Sequence, residues 1–193
     1  MHEMSFLIYN LVIFPMMAGI LIVNDDFVRF FLGQDFQDAR YAIAIMIFRM
    51  FFIGWTNIMG IQILIPHNRN KEFMISTTAP AIISVGLNLL FLPKLGYIGA
   101  AIVSVLTEAL VWAIQLFFTR KYLKDVPIIG TMLKIILASA IMYGLLLVSK
   151  TVIHFTPTIN VAIFAVLGGI VYLFAILSLK VMDVKELKQL IKK

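Results

Sequence analysis

Two charged side chains of opposite sign sit where an apolar chain can least accommodate them. Arg49 lies inside the uninterrupted apolar run 41–66, and Glu108 lies inside the run 98–118. An ionised group near the centre of a bilayer costs several kcal/mol, from about 2.5 upward. Keeping two of them implies mutual neutralisation or a polar species that enters the membrane. A guanidinium can grip a phosphate or carboxylate through two parallel hydrogen bonds. A carboxyl can carry a proton, and burial favours its neutral form. Arg49 therefore has three readings: a cation facing an aqueous cavity and an anionic substrate group, a structural partner of Glu108 or of a helix outside this chain, or a side chain that snorkels to the near surface. Glu108 has three as well: a proton-coupling group, the structural partner of Arg49, or a protonated hydrogen-bonding group between helices.

At 100° per residue, Arg49, Ile53, Thr56 and Gly60 share one helical face with Asn57 beside it, and Gln62 falls nearly opposite. A face that mixes a cation, a hydroxyl, an amide and a glycine looks at other helices or at a cavity, not at lipid. Thr77, Ala81, Ser84 and Asn88 form a second small, polar stripe, and Ala100, Ser104 and Glu108 form a third, with Gln115 two turns on. Small residues at this spacing let helix backbones approach and hydrogen-bond. Ala140 with Gly144 and Ala165 with Gly169 offer the same spacing later in the chain. Trp55 and Trp112 fall well inside apolar runs and read as packing residues, and Lys134, in the first turns of its run, reads as a snorkelling surface lysine.

The elements that carry these residues follow from composition. Of 193 residues, 62% are hydrophobic and 13% charged, with a mean hydropathy of +1.00; soluble domains run at about 45–50% and 25%. Each membrane crossing takes roughly 20 apolar residues, and the continuous apolar runs exclude the alternating pattern of a barrel. The expected fold is an all-α integral membrane domain, 1–193, of about six transmembrane helices at 6–23, 41–66, 73–92, 98–118, 128–148 and 159–179, followed by a basic amphipathic tail at 180–193 on anionic lipid. Pro15 and Pro80 fall inside spans, where neighbouring helices can satisfy the freed carbonyls. The acidic, phenylalanine-bearing segment 24–40 is expected to extend the first helix and then lie along the outer interface.

Lysines and arginines concentrate on one side (Arg69, Lys71, Arg120, Lys121, Lys124 and the tail), against Arg29, Arg40, Lys94 and Lys150 on the other. The richer side is cytoplasmic, which places both termini there. The start of the chain lacks the basic region of a signal peptide. The net charge of +6 is a topology signal and implies no nucleic-acid partner. With no cysteine, disulfides, thiolate metal sites and cysteine nucleophiles are excluded. His2, His67 and His154 lie in separate loops or ends with no metal-ligand spacing. No nucleophile elbow or phosphate-cradling glycine loop is present. The expectation is a protein that is not an enzyme, with no cofactor and no metal.

Three stretches are more specific. Gly60-Ile61-Gln62-Ile63-Leu64-Ile65-Pro66 runs into a short basic loop, His67-Asn68-Arg69-Asn70-Lys71-Glu72. Asn88-Leu89-Leu90-Phe91-Leu92-Pro93 is followed by Lys94-Leu95-Gly96-Tyr97 and then by Ile98-Gly99-Ala100-Ala101, with Glu108 beyond. Phe14-Pro15-Met16-Met17-Ala18-Gly19 precedes Phe31-Leu32-Gly33. Together, over most of residues 10–125, they resemble Wzx-type bacterial polysaccharide flippases of the MATE-like superfamily. The asparagine-to-Gly-Ala-Ala block is the most specific part; the last two spans match in type and position alone.

The resemblance implies a protein of the bacterial cytoplasmic membrane. It would move undecaprenyl-pyrophosphate-linked oligosaccharide repeat units to the outer leaflet for capsular or surface polysaccharide, by rocking two helical lobes around a cationic cavity. Arg49 would then meet pyrophosphate or acidic sugars, Asn57, Asn88 and Gln115 would meet sugar hydroxyls, and Glu108 would couple to a proton or brace Arg49. Such proteins have twelve to fourteen helices, whereas about six are expected here. The chain thus reads as a C-terminal part, whose implied partners are membrane lipids and an N-terminal half or a polysaccharide polymerase. Two alternatives stand beside this: an inactive truncated module that docks on a partner half, and a multidrug or lipid exporter of the same superfamily.

Overall fold

A computed structural model describes residues 2–123, 128–152, 156–179 and 181. Among these residues all regular structure is helical: α1 (His2–Phe31), a 3-10 turn (Gln34–Phe36), α2 (Ala39–Asn57), a π-helical continuation of α2 (Ile58–Leu64), α3 (Asn70–Leu123), α4 (Ile128–Val152) and α5 (Pro157–Ser178). Among the described residues, five helical stretches are long and apolar enough to cross a membrane. The chain is an all-α integral membrane protein. Lys124, His154 and the basic tail, apart from Val181, lie outside the described residues.

The six expected spans are carried by five helices, because α3 contains two of them. Its 54 residues would extend about 80 Å as a straight helix, against a hydrocarbon core of about 30 Å. The helix does not run straight. Gly96 has φ 53° and ψ −136°, a combination open in practice to glycine alone, and the two arms fold back there. Gln115 of the second arm donates to Ser76 of the first, and Arg69, just before the first arm, donates to the carbonyl of Phe118 near the end of the second. The expected Pro-Gly-aromatic break is therefore a one-residue reversal. Pro80 and Pro93 sit inside the first arm without ending it, and Pro15 sits inside α1 in the same way.

The chain divides into two compact units, Met1–Tyr9 with Asp38–Val126, and Asn10–Gln37 with Pro127–Lys193. The first is held by aromatic packing. Phe6 lies 4.7 Å from Trp55, and Trp55 lies 6.3 Å from Trp112, with Phe51 and Phe52 against the same cluster. Both tryptophans are thus packing residues. Tyr9 donates its hydroxyl to the carbonyl of Met50.

The second unit packs Ile22 of α1 with Ala138, Met142 and Leu146 of α4 and with Phe164, Tyr172, Ala175 and Ile176 of α5. This corrects one expectation. Ala140, Gly144, Ala165 and Gly169 are exposed. The α4–α5 seam instead runs two residues away, along Ala138, Met142 and Leu146 facing Gly168, where an added Cβ would stand 3.2 Å from Leu146. Bulk on one helix set against one small residue on the other gives the same close approach as two small residues.

The second unit also holds a polar cluster that the sequence analysis did not single out. Asn160 donates to Asp26 at 3.3 Å, Lys150 lies 3.8 Å from the other oxygen of Asp26, and the Lys150 ammonium donates to the carbonyl of Ile22 at 2.7 Å. Asp26 belongs to the segment expected to extend the first helix and then lie along the outer interface. The extension of α1 through Phe31, which was expected, carries it into the packed region instead.

Candidate functional site

The Arg49 guanidinium donates through Nε (3.3 Å) and Nη2 (2.9 Å) to a single oxygen of Glu108. Arg49 is the eleventh residue of α2, about 15 Å along it, so the pair sits at bilayer depth on both helices. Its side chains are 37% and 19% exposed. Of the three sequence readings of Arg49, direct pairing with Glu108 is the geometry present; the guanidinium is aimed at the second arm of α3, not at a membrane surface. Gripping one oxygen leaves the second oxygen of Glu108 outside the pair.

Glu108 also lines a cavity of about 330 Å³, with Thr56, Asn57, Ile61, Phe73, Thr77, Ala81, Thr107, Val111 and Gln115. α2 and its π-helical continuation form one wall and the two arms of α3 form the others. The volume falls at the small end of ligand cavities. Arg49 does not line this cavity and reaches it through Glu108.

Backbone geometry brings these walls together. In the segment Ile58–Leu64 the hydrogen bonds lengthen to i→i−5, as in Ile65 N–H to the carbonyl of Gly60. Such π segments are rare and concentrate at functional sites. Gly60 is buried here, and a Cβ on it would stand 2.6 Å from the Phe73 ring and 3.1 Å from the Gln115 amide. A side chain at 60 would push the first arm of α3 away and displace Gln115.

Gln115 is the most informative member. It is 1% exposed. Its Nε2 donates to Ser76 Oγ at 3.2 Å, and Ser76 donates onward to the carbonyl of Phe73 at 2.7 Å. Its Oε1 is buried and has no hydrogen-bond partner among the described residues. Leaving an acceptor in that state costs about 1–3 kcal/mol, and such a group in a native fold calls for an explanation such as a ligand or a bound water.

The other expected residues divide. Asn57 lines the cavity, but its amide donates to Ile53 on its own helix, 2.9 Å. Thr56 and Thr77 line it too, and their hydroxyls bond back to carbonyls one turn earlier. Asn88 is not among the lining residues; its amide donates to Ser84 of the same helix, 2.9 Å. Ser76, Thr107 and Phe73 were not singled out from sequence. The signal that could have found Ser76 is the reversal at Gly96, which sets it opposite Gln115.

A larger groove of about 490 Å³ lies within the second unit, between α1 and α5, and is almost wholly aliphatic and aromatic. Its hydroxyl, on Tyr172, is already donated to the carbonyl of Leu11 at 2.6 Å. The smaller cavity is therefore the candidate site despite its size. Among the described residues no group of three histidine or acidic side chains stands close enough to hold a metal ion.

Comparison with known proteins gives one partial likeness. Over 93 residues the chain is 32% identical to the Escherichia coli (strain K12) protein named "Putative O-antigen transporter". The matched stretch is 48% of this chain and 22% of that protein, so the chain matches well under two thirds of its relative's length. No family model matches, and no solved structure matches.

Proposed function

We propose that this chain is part of a flippase that carries undecaprenyl-pyrophosphate-linked oligosaccharides across the bacterial cytoplasmic membrane for surface or capsular polysaccharide. The observation that carries this reading is the polar cavity at bilayer depth. It is lined by Glu108 and Gln115, with Arg49 one contact behind. A cavity that offers acceptors to a hydroxyl-rich molecule, backed by a cation for an anionic one, suits a glycan linked through pyrophosphate. The partial likeness to a protein named for O-antigen transport supports the same cargo class.

In this reading Gln115 Oε1 and the outer oxygen of Glu108 accept hydrogen bonds from sugar hydroxyls, Asn57 lies at the cavity edge, and Asn88 serves a neighbouring stretch of the path. Arg49 takes up the anionic group when that group displaces Glu108, and Glu108 then either accepts a proton or turns to the cargo. The ion pair is the resting state of an exchange site, in which like-for-like replacement of one anion by another costs less than uncovering a bare guanidinium. Because the matched stretch is 22% of its relative, the activity is assigned to an assembly with a further set of helices.

The test is export in a bacterium lacking its own flippase, with the chain supplied together with a matching N-terminal half. Arg49→Ala and Glu108→Gln should insert normally and lose surface polysaccharide. Full export by Arg49→Ala would remove the pair from the mechanism. Failure of the unsubstituted chain to export beside any N-terminal half would leave a docking module.

A further inference from the structure

One end of the first unit gathers basic and aromatic side chains from two places in the sequence, the turn after the π-helical segment and the last turns of α3. The His67 and Tyr122 rings pack with centroids 4.2 Å apart, tilted by 42°. Arg69 ties the two places together by donating to the carbonyl of Phe118 at 2.7 Å, and its charge is offset by Glu72 at 2.8 Å. Lys71, Arg120 and Lys121 remain, all exposed. Two of these cations sit over aromatic rings: Arg120 over Phe117 and Lys121 over Tyr122, each at 4.7 Å. Rings under cations hold them in place at modest gain each, which spares part of the ordering cost of binding an anion. The opposite end of this unit, with Asp38, Arg40 and Lys94, has no comparable excess of cations.

The surface next to this cationic end is apolar. Phe117 is 59% exposed and Met74 61%, and Ile65 and Ile75 are also open. A soluble anion would use the cations and leave that surface bare, and an acidic protein or nucleic acid would have no use for it. A molecule with an anionic head and a hydrocarbon body matches both parts at once. We propose that this end of the protein is a binding site for an anionic phospholipid. Lys71, Arg120 and Lys121 hold the headgroup phosphate, Phe117 and Tyr122 fix the cations at headgroup level, and the acyl chain lies against Met74 and Phe117. The site does not depend on the cargo cavity, and it fixes how deep and which way up this unit sits, because basic residues beside a membrane surface select the anionic leaflet.

The experiment titrates the purified chain in zwitterionic nanodiscs with increasing phosphatidylglycerol, against phosphatidylcholine alone. Retained lipid is read by native mass spectrometry, with a quench assay on Trp112 and Trp55 as a second readout. The chain should retain phosphatidylglycerol over phosphatidylcholine. Each cation removed should cost about five-fold in that preference. The triple variant Lys71→Gln, Arg120→Gln, Lys121→Gln should thus lose roughly a hundred-fold, while Arg40→Gln with Lys94→Gln should lose little. Phe117→Leu with Tyr122→Leu keeps every charge and should still lower the preference a few-fold. Equal retention of the two lipids would overturn the proposal. So would a triple variant that keeps the preference, an equal loss from the control pair, or displacement of the lipid by millimolar inorganic phosphate. A triple variant whose helical content or thermal midpoint falls is replaced by the three single variants, whose losses should multiply.

Discussion

Gln115 donates to Ser76 across 3.2 Å although 39 residues separate them, and Gly96 lies midway between. The contact is possible because one glycine reverses α3. The reversal in turn sets the register in which Glu108 meets Arg49 and the first arm meets Gly60. Backbone geometry at residue 96 thus determines side-chain chemistry some 18 Å away at residue 108.

Gly96→Ala should destabilise the chain by about 1–3 kcal/mol, because a Cβ is strained at that φ and ψ. Gly86→Ala is the control, since Gly86 has open space around it, and there the exchange should be neutral or stabilising by up to about 1 kcal/mol. Thermal midpoints in one detergent would separate the two. Equal midpoints would mean that the reversal is not confined to residue 96.

Gly60→Ala should also destabilise, for a different reason. Its new methyl group meets the Phe73 ring at 2.6 Å, and overpacking of this kind costs about 1–3 kcal/mol. The shift must open the cavity wall, so Gln115 becomes accessible. Hydrogen exchange in the Phe73–Thr77 turn should rise in Gly60→Ala and stay unchanged in Gly144→Ala, where nothing lies near the added atom. Unchanged exchange in both would show that the π-helical segment absorbs the methyl group elsewhere.

How far these relationships could be read from sequence depends on what kind of signal each leaves. Arg49 and Glu108 were legible because a charge inside an apolar run is costly whatever its partner, and the break near Gly96 was legible because proline and glycine mark chain reversals. The register was not legible. A 3.6-residue period predicts faces, but it does not say which residues of two arms stand opposite, and so Ser76 was missed while Asn88, on the stripe that was singled out, turned to its own helix. The π-helical turn at Ile58–Leu64 shifts that period without any composition cue. The burial of Asp26 was not legible either, because Asn160 and Lys150, more than a hundred residues later, supply the partners that allow it.

The Asp26–Lys150 contact can be tested through that burial. Lys150→Met leaves the carboxylate in a largely buried place with Asn160 beside it. A fully buried pair would lose about 3–5 kcal/mol on losing one partner. Here the partners are 12% and 32% exposed and 3.8 Å apart, so about 1–2 kcal/mol is expected after solvent screening. Lys150→Met combined with Asp26→Asn should recover most of it. If the double variant is no better than Lys150→Met alone, the lysine acts through its bond to the Ile22 carbonyl, not through its charge.

The cargo reading and a purely structural reading diverge most sharply at Gln115. Structural polar groups lose stability when removed, since their partners are left unpaired. Gln115→Leu removes a buried acceptor that has no partner and a donor whose acceptor, Ser76, keeps its own bond to Phe73. The side chains are close in volume, and losing an unsatisfied oxygen relieves about 1–3 kcal/mol that its burial costs, against about 1 kcal/mol for the lost bond to Ser76. Gln115→Leu should therefore be as stable as the unsubstituted chain or more so, while export with the complementing half falls at least ten-fold. A variant that gains stability and loses transport is the signature of a residue kept for its ligand. A variant that loses stability and keeps transport would place Gln115 among the packing residues and leave the acceptor role to Glu108.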